Sequence, residues 1–196
     1  MKKMFLPSFI FLLVVLIFAV VPTDAEGKIY DDTLRLHILA LSDGDKDQEI
    51  KLIIRDRVLE KYSDELKKSE NIDDALQSTS LLISDIKKDV DMWLSEFYDN
   101  VYSEVYLTEE WYDTREYEDF TLPKGYYNSL KIVIGDGEGK NWWCVMYPPL
   151  CLDIATENAV ADDGIVDYTK EEISLISDKG YNVKFKLLEF ISDIFS

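Results

Sequence analysis

The sequence predicts a single α+β domain in which two long N-terminal helices pack on a mainly antiparallel sheet, preceded by a signal peptide. Two segments between residues 46 and 98 repeat apolar residues at helical spacing, and neither contains Pro or Gly inside it. Between residues 101 and 147, apolar and polar residues alternate instead, as in strands. Runs of helix followed by runs of strand are typical of the α+β class, and 196 residues suffice for one core.

Residues 1–25 are predicted to be a signal peptide. Lys2 and Lys3 precede an apolar run from Phe5 to Val21, and small residues stand just before Glu26. The run is also close to the shortest that spans a membrane, so an uncleaved anchor that tethers the protein is the alternative. Residues 26–196 then form the single α+β domain.

The first strand and the two helices follow a polar spacer over residues 26–32. Residues 33–40 alternate as a strand, and Asp45 with Gln48 has the capping-box spacing for a helix over residues 46–66. Asn71 is the predicted cap of a second helix over residues 72–98. The apolar stripes of the two helices are Ile50, Ile53, Ile54, Val58, Tyr62 and Leu66, and then Ala75, Leu76, Thr79, Ile83, Ile86, Val90, Trp93 and Phe97.

The strands cluster in the second half of the chain. Strands are predicted over residues 101–107 and 126–134, with an irregular one over 111–121. Three glycines over residues 135–139 and a strand over 141–147 predict a β-hairpin that ends at a Pro pair. Successive side chains alternate between faces, so Trp142 and Trp143 are expected on opposite sides of the sheet. After it come an acidic surface loop near residues 153–168, a short helix after Thr169 and a strand over 183–187.

Charge and residue types exclude several function classes. The net charge of −18 argues against nucleic-acid binding and against docking on anionic lipid beyond the signal segment. The chain has one His, His37, so a catalytic triad or a zinc site would depend on it, and no Gly-x-Ser-x-Gly motif accompanies it. The sequence therefore predicts no catalytic residues, no metal and no cofactor, and His37 is interpreted as a partly buried strand residue.

Two separated motifs resemble those of one family. The stretch Gly135–Cys151 has the pattern Gly-Asp-Gly-Glu-Gly-x-Asn-Trp-Trp-Cys-Val-x-x-Pro-Pro-Leu-Cys and resembles the signature of the stage II sporulation protein R family. The run Leu34–Asp43 is similar to that family's opening motif, although Leu41 stands where Asn is usual. The resemblance covers about Leu34 to Leu152. Its motif residues in the first half are Arg35, Ser42, Asp43, Asp47, Arg55 and Asp56.

The resemblance implies a function that composition does not reveal. It implies a protein secreted from the forespore into the space between the two cells, where it activates a membrane-bound aspartic protease of the mother cell that cleaves the sigma-E precursor. The chain would then be a protein ligand and not an enzyme; an exported hydrolase acting on cell wall or peptide is the alternative. The expected partner contacts are Trp142, Trp143, Tyr147, Pro148, Pro149, Glu138 and Asn141.

Two further groups of residues are interpreted structurally. Cys144 and Cys151 either form a disulfide, as an exported protein allows, or are two buried thiols. Arg35 and the Arg55–Asp56 pair are interpreted as an ion-pair network between the first strand and the first helix.

Overall fold

The structure, a computed structural model, describes residues 24–117 and 121–149 together with the isolated positions 7 and 10. Its elements in chain order are α1 (Asp24–Asp31), β1 (Leu34–Leu39), α2 (Asp45–Leu66), α3 (Ile72–Leu94), β2 (Ser103–Tyr112), β3 (Arg115–Glu116), β4 (Thr121–Leu122), β5 (Gly125–Ile134) and β6 (Asn141–Tyr147). The predicted α+β class is confirmed. The acidic loop and the two elements predicted beyond Cys151 lie outside the described residues.

The N-terminal region differs from its prediction in one respect. The short helix α1 occupies most of the stretch expected to be a polar spacer. It is held in place because Ile29 is fully buried and the Tyr30 ring packs edge-on against Tyr127 at a centroid distance of 5.2 Å. Within the described ranges, no helix is long and apolar enough to cross a membrane.

The four-stranded sheet has the order β2-β5-β1-β6, and a separate two-stranded sheet joins β3 to β4. β1 runs parallel to β5 and antiparallel to β6, while β2 runs antiparallel to β5. The sheet is therefore mainly antiparallel, as predicted. The predicted hairpin is wrong, because β1 lies between the two strands that were expected to pair.

Burial explains why β1 takes the inner position. Leu34, Leu36 and Ile38 are fully buried on one face, and Arg35 and His37 are buried on the other. A strand covered on both faces suits the interior of a sheet. Strands separated by one neighbour lie about 10 Å apart, a distance that the loop over residues 135–140 spans easily.

Helices α2 and α3 cover one face of the sheet. Trp142 pairs in register with Ile38, and its ring lies under Arg55 of α2, which identifies the face of Leu34, Leu36 and Ile38 as the helix side. The predicted stripe residues of α2 are buried except for Ile53, which is half-buried. The stripe of α3 includes the buried Ala75, Thr79, Ile86 and Val90.

The two helix starts have different outcomes. Asn71 caps α3 as predicted, because its side-chain oxygen accepts a hydrogen bond from the Asp74 amide at 3.0 Å. The Asp45–Gln48 capping box is wrong: Gly44 is the N-cap residue of α2 and supplies no side-chain hydrogen bond. The Gln48 amide instead donates to the Ser42 carbonyl oxygen at 2.8 Å. α3 ends at Leu94, four residues before the predicted end at Tyr98, and Tyr98 packs against the core just beyond it.

Candidate functional site

The glycine loop over residues 135–140 passes directly across the exit of β1. The Gly139 amide donates to the Ala40 carbonyl oxygen at 2.9 Å, and a Cβ on Gly139 would lie 2.3 Å from the Ser42 carbonyl oxygen. Gly135 has a φ of +58° and lies against the Leu41 side chain, which occupies the space that a Cβ would need. The glycines therefore permit a close approach of two backbones, a function that the hairpin interpretation did not foresee.

Side chains from α2 and the β1 exit fasten this loop. Asp43 accepts a hydrogen bond from the Lys140 amide at 2.8 Å. On the other side of the loop, the Lys51 ammonium donates to the Lys140 carbonyl oxygen at 2.9 Å and to the Gln48 side chain at 2.7 Å. Lys51 is buried, and this burial lowers its pKa despite the nearby Asp43. The loop is thus bound through both its amide and carbonyl groups.

Asp47 extends the same network to the end of α3. Its two carboxylate oxygens accept hydrogen bonds from the Ser42 hydroxyl and the Tyr98 hydroxyl, each at 2.6 Å. These two hydrogen bonds lower the pKa of the Asp47 carboxyl. We call Ser42, Asp43, Asp47, Lys51 and the glycine loop the crossover cluster. It joins motif residues that lie about a hundred positions apart in the chain.

Arg35 lies on the sheet face opposite α2 and α3 and is fully buried. Its guanidinium stacks over the Tyr112 ring at 3.9 Å and the Tyr127 ring at 5.0 Å, and its Nη2 donates to the Tyr117 hydroxyl at 3.0 Å. Within the part of the chain that the structure describes, its Nε and Nη1 have no hydrogen-bond partner. Two aromatic faces therefore take the place that a carboxylate usually fills beside a buried guanidinium.

His37 occupies the centre of the same face. Its Nδ1 lies 2.9 Å from Glu110 of β2, and its Nε2 lies 2.9 Å from the side-chain oxygen of Asn141 at the start of β6. The Lys131 ammonium binds the other oxygen of Glu110 at 2.7 Å. Burial by itself raises the pKa of Glu110, but the hydrogen bonds from His37 and Lys131 outweigh it and lower the pKa to about 2. One carboxylate thus ties β2, β5 and β1 together.

Trp142 and Trp143 lie on opposite faces of the sheet, as predicted. Arg55 of α2 lies 5.0 Å from the Trp142 ring on the helix side. On the other side, Trp143 packs between the His37 ring, at a centroid distance of 5.6 Å, and Arg115 of β3, at 4.0 Å. Both indoles are half-buried, so each is part packing group and part surface.

The predicted ion-pair network between β1 and α2 does not form. Arg55 pairs with its neighbour Asp56 at 2.6 Å on the surface of α2. Arg35 points to the opposite side of the sheet, because successive side chains of a strand alternate and Leu34 and Leu36 already occupy the helix side. The prediction failed because residue spacing along one strand does not show which face the helices cover.

The remaining residues of the expected contact surface differ in exposure. Glu138 and Asn141 are exposed and Pro149 is half-buried. Tyr147 and Pro148 are buried and therefore offer little surface to a partner. Cys144 is buried and disulfide-bonded, while Cys151 lies outside the described residues.

Sequence reasoning missed two functional-looking charges, Glu110 and Lys131. Lys51 fits the family's opening motif, and its place at i, i+3 and i+7 with Ile54 and Val58 on the apolar stripe of α2 also indicates that it is buried. Glu110 and Lys131 carry no such signal, since only the cross-strand register brings them to His37.

The family that known proteins identify for this chain is matched over a range that contains both motifs. Residues 30–157 match the family model described as Stage II sporulation protein R. The chain is also 32% identical, over 185 residues, to the Stage II sporulation protein R of Bacillus subtilis (strain 168), a match that covers 85% of this chain and 83% of that relative. No solved structure matches the chain. The family match spans the whole crossover cluster.

Proposed function

Because the chain belongs to the stage II sporulation protein R family, we propose that it is an exported signalling protein of sporulation that activates a membrane-bound aspartic protease. The protease of the mother cell then cleaves the sigma-E precursor. The observation that carries this proposal is the family match over residues 30–157, which includes both motifs of the crossover cluster. The chain is secreted from the forespore and acts in the space between the two cells.

The surroundings of His37 support a ligand that does no chemistry of its own. A general base needs a ring nitrogen whose lone pair faces a nucleophile. Here one ring nitrogen contacts Glu110 and the other contacts Asn141, both at 2.9 Å. Neither nitrogen is available to activate a hydroxyl or a thiol, which disfavours a hydrolase built on the chain's one histidine.

Activation by such a ligand is a shift between two states of the protease. A ligand that binds the active arrangement more tightly than the inactive one changes their ratio by the difference in binding free energy. A change from 1:99 to 99:1 requires about 5.5 kcal/mol of differential binding. A protein complex of micromolar affinity has a binding free energy of about 8 kcal/mol, which exceeds that amount, so no covalent step is needed.

The test is co-expression in a non-sporulating host of this chain, the matching membrane protease and the sigma-factor precursor from the same source. Precursor cleavage is followed with and without this chain, and with a version that lacks residues 1–25. We expect cleavage only with the full chain, because the truncated version stays inside the cell. Cleavage by a competent protease without this chain, or no cleavage with it, would contradict the proposed role.

A further inference from the structure

The outer edge of β2 is an open row of backbone hydrogen-bonding groups. The register between β2 and β5 is unbroken, and the Gly135 amide donates to the Tyr102 carbonyl oxygen at 2.9 Å. In an antiparallel ladder the direction of these groups alternates, so those of Val105, Leu107, Glu109 and Trp111 point away from β5. The first outward amide, that of Ser103, is bound by Asp91 at 2.6 Å. Beyond it, no other strand of the described chain pairs with this edge.

Exposed aromatic side chains border this edge on the helix side of the sheet. Trp111 is 52% exposed, and its cross-strand partner Tyr126 is 57% exposed. Their rings meet edge to face at a centroid distance of 5.2 Å. Exposed pairs of this kind are much less usual on a protein surface than single apolar residues, and aromatic residues are enriched where partners bind.

A pocket between α3 and β2 lies beside the same edge. Its volume is about 470 Å³, and it is lined by Leu76, Gln77, Ser80, Leu107, Thr108 and Asn128. Leu107 belongs both to this pocket and to the open edge. A strand added to β2 would place alternate side chains on the pocket side, where Leu76 and Leu107 offer an apolar floor.

The charge of the edge indicates which occupant fits. Glu104, Glu109 and Asp113 are exposed and make no ion pair within the described ranges. Residues 103–113 contain no Lys, Arg or Pro, so all the charges that protect this edge from pairing are acidic. A second copy of this chain would bring like charges together across the new ladder. The acidic edge therefore favours a basic segment over self-association.

We propose that the β2 edge binds an extended segment of a partner protein, which adds to the sheet as a fifth strand and carries Lys or Arg together with apolar or aromatic side chains. The proposal rests on the function proposed above, in that the partner is the membrane protease. The added strand hydrogen-bonds to Val105, Leu107, Glu109 and Trp111, its apolar side chains contact the Trp111–Tyr126 pair and the pocket, and its cations face Glu104 and Glu109. β2 and β6 are the two edge strands of the sheet, so this surface lies at the opposite edge from β6.

The sharpest test is Glu109→Pro, with Glu109→Ala as the matched control. Proline removes the outward amide of residue 109 and no hydrogen bond to β5, and an edge position tolerates it. Both variants lose the carboxylate, but only proline loses the backbone donor. In the co-expression host we expect Glu109→Pro to reduce co-purification of the protease with tagged chain by about tenfold, with cleavage reduced in parallel, and Glu109→Ala to lose only about two- to threefold.

Three outcomes distinguish the edge proposal from the proposed function and from self-association. Full activity of a folded, secreted Glu109→Pro variant beside an active wild-type chain would overturn the edge proposal and leave the proposed function intact. An inactive wild-type chain would instead remove the proposed function itself. A wild-type dimer in light scattering that Glu109→Pro dissociates would assign the edge to self-association and overturn the proposal. If Glu109→Pro does not fold, the double variant Trp111→Ala/Tyr126→Ala, altered only at exposed side chains, must show the same loss of co-purification.

Discussion

The ammonium of Lys51 lies 2.9 Å from the main-chain carbonyl oxygen of Lys140, and this hydrogen bond holds the glycine loop against helix α2. The loop in turn lies across the exit of β1, where the Gly139 amide binds the Ala40 carbonyl oxygen. The two motifs that identify the family are therefore one structural unit. A change in either motif is expected to act on the other through these contacts.

Replacing Lys51 tests this unit directly. Lys51→Met keeps most of the apolar stem and removes the ammonium, which leaves the Lys140 carbonyl oxygen without its buried donor. We expect the free energy of unfolding to fall by about 1–3 kcal/mol, the usual cost of a buried polar group that has lost its partner. Urea unfolding followed by circular dichroism measures it. Lys88→Met, at an exposed position of α3, is the control and should change little.

Gly139→Ala tests how closely the loop approaches β1. The new methyl group would lie 2.3 Å from the Ser42 carbonyl oxygen, so the backbone must move. We expect a loss of stability of about 1–3 kcal/mol, the usual range for overpacking. Gly27→Ala is the control and should raise the stability slightly. Nothing lies within 4 Å of a Cβ at that position, and alanine favours the helix α1. Equal urea midpoints for both variants would contradict the close approach.

The glycine loop also shows how far sequence reasoning reaches. Helical periodicity predicted α2 to within one residue at its start, and Asn71 was recognisable as a cap, because both are local properties of the chain. Strand pairing is not local. Three glycines between two alternating runs fit a tight turn as well as a crossing over β1, and only the burial of β1 on both faces decides between them.

The candidate site was predictable to a smaller extent. Ser42, Asp43 and Asp47 were singled out by a resemblance, and the structure brings all three into the crossover cluster. The link from Glu110 to His37 was not predictable, because it depends on β2 and β1 both flanking β5 in a particular register. A residue's own segment carries no information about that register.

The carboxyl group of Glu110 is expected to make stability depend on pH. Its pKa is about 2 in the folded protein, against an ordinary value of 4.5. The deprotonated form is favoured by folding, so its contribution is fully present above about pH 4.5 and is lost as the pH falls toward 2. Glu110→Gln should lower the free energy of unfolding at pH 7 by at most about 3 kcal/mol and approach the wild type near pH 2.

Urea unfolding at a series of pH values measures this difference. Glu109→Gln, one residue away and exposed without an ion pair among the described residues, is the matched control. The difference in the free energy of unfolding between Glu109→Gln and the wild type should not vary with pH in the same way. A Glu110→Gln difference that stays constant from pH 7 to pH 2 would show that the carboxylate does not carry the pH dependence.

Trp143→Ala tests whether β6 contacts the protease. If it does, this variant abolishes activation and leaves secretion intact, because a half-buried indole near the exposed Asn141 is lost from the interface. Trp143 also packs on His37 and Arg115, so the thermal midpoint of the purified protein must be measured beside cleavage. Trp143→Phe, which keeps an aromatic ring there, is the control for folding. Normal activation by Trp143→Ala would remove β6 from the interface.

The effect of replacing Arg35 on the free energy of unfolding depends on two opposing contributions: the cost of burying its charge and the gain from stacking on two aromatic rings. Moving an ion out of water costs several kcal/mol, and Arg35 is fully buried with one direct hydrogen bond, to Tyr117, among the described residues. Stacking on Tyr112 and Tyr127 returns about 2 kcal/mol per ring when desolvated. The two contributions nearly cancel, so Arg35→Met, which fills similar space without charge, should leave stability within about 1 kcal/mol of the wild type or raise it.

Arg35→Ala opens a cavity and should lower stability by about 2–5 kcal/mol. Thermal unfolding of the three proteins measures the order, and a methionine variant as unstable as the alanine variant would show that the charge itself stabilises the fold.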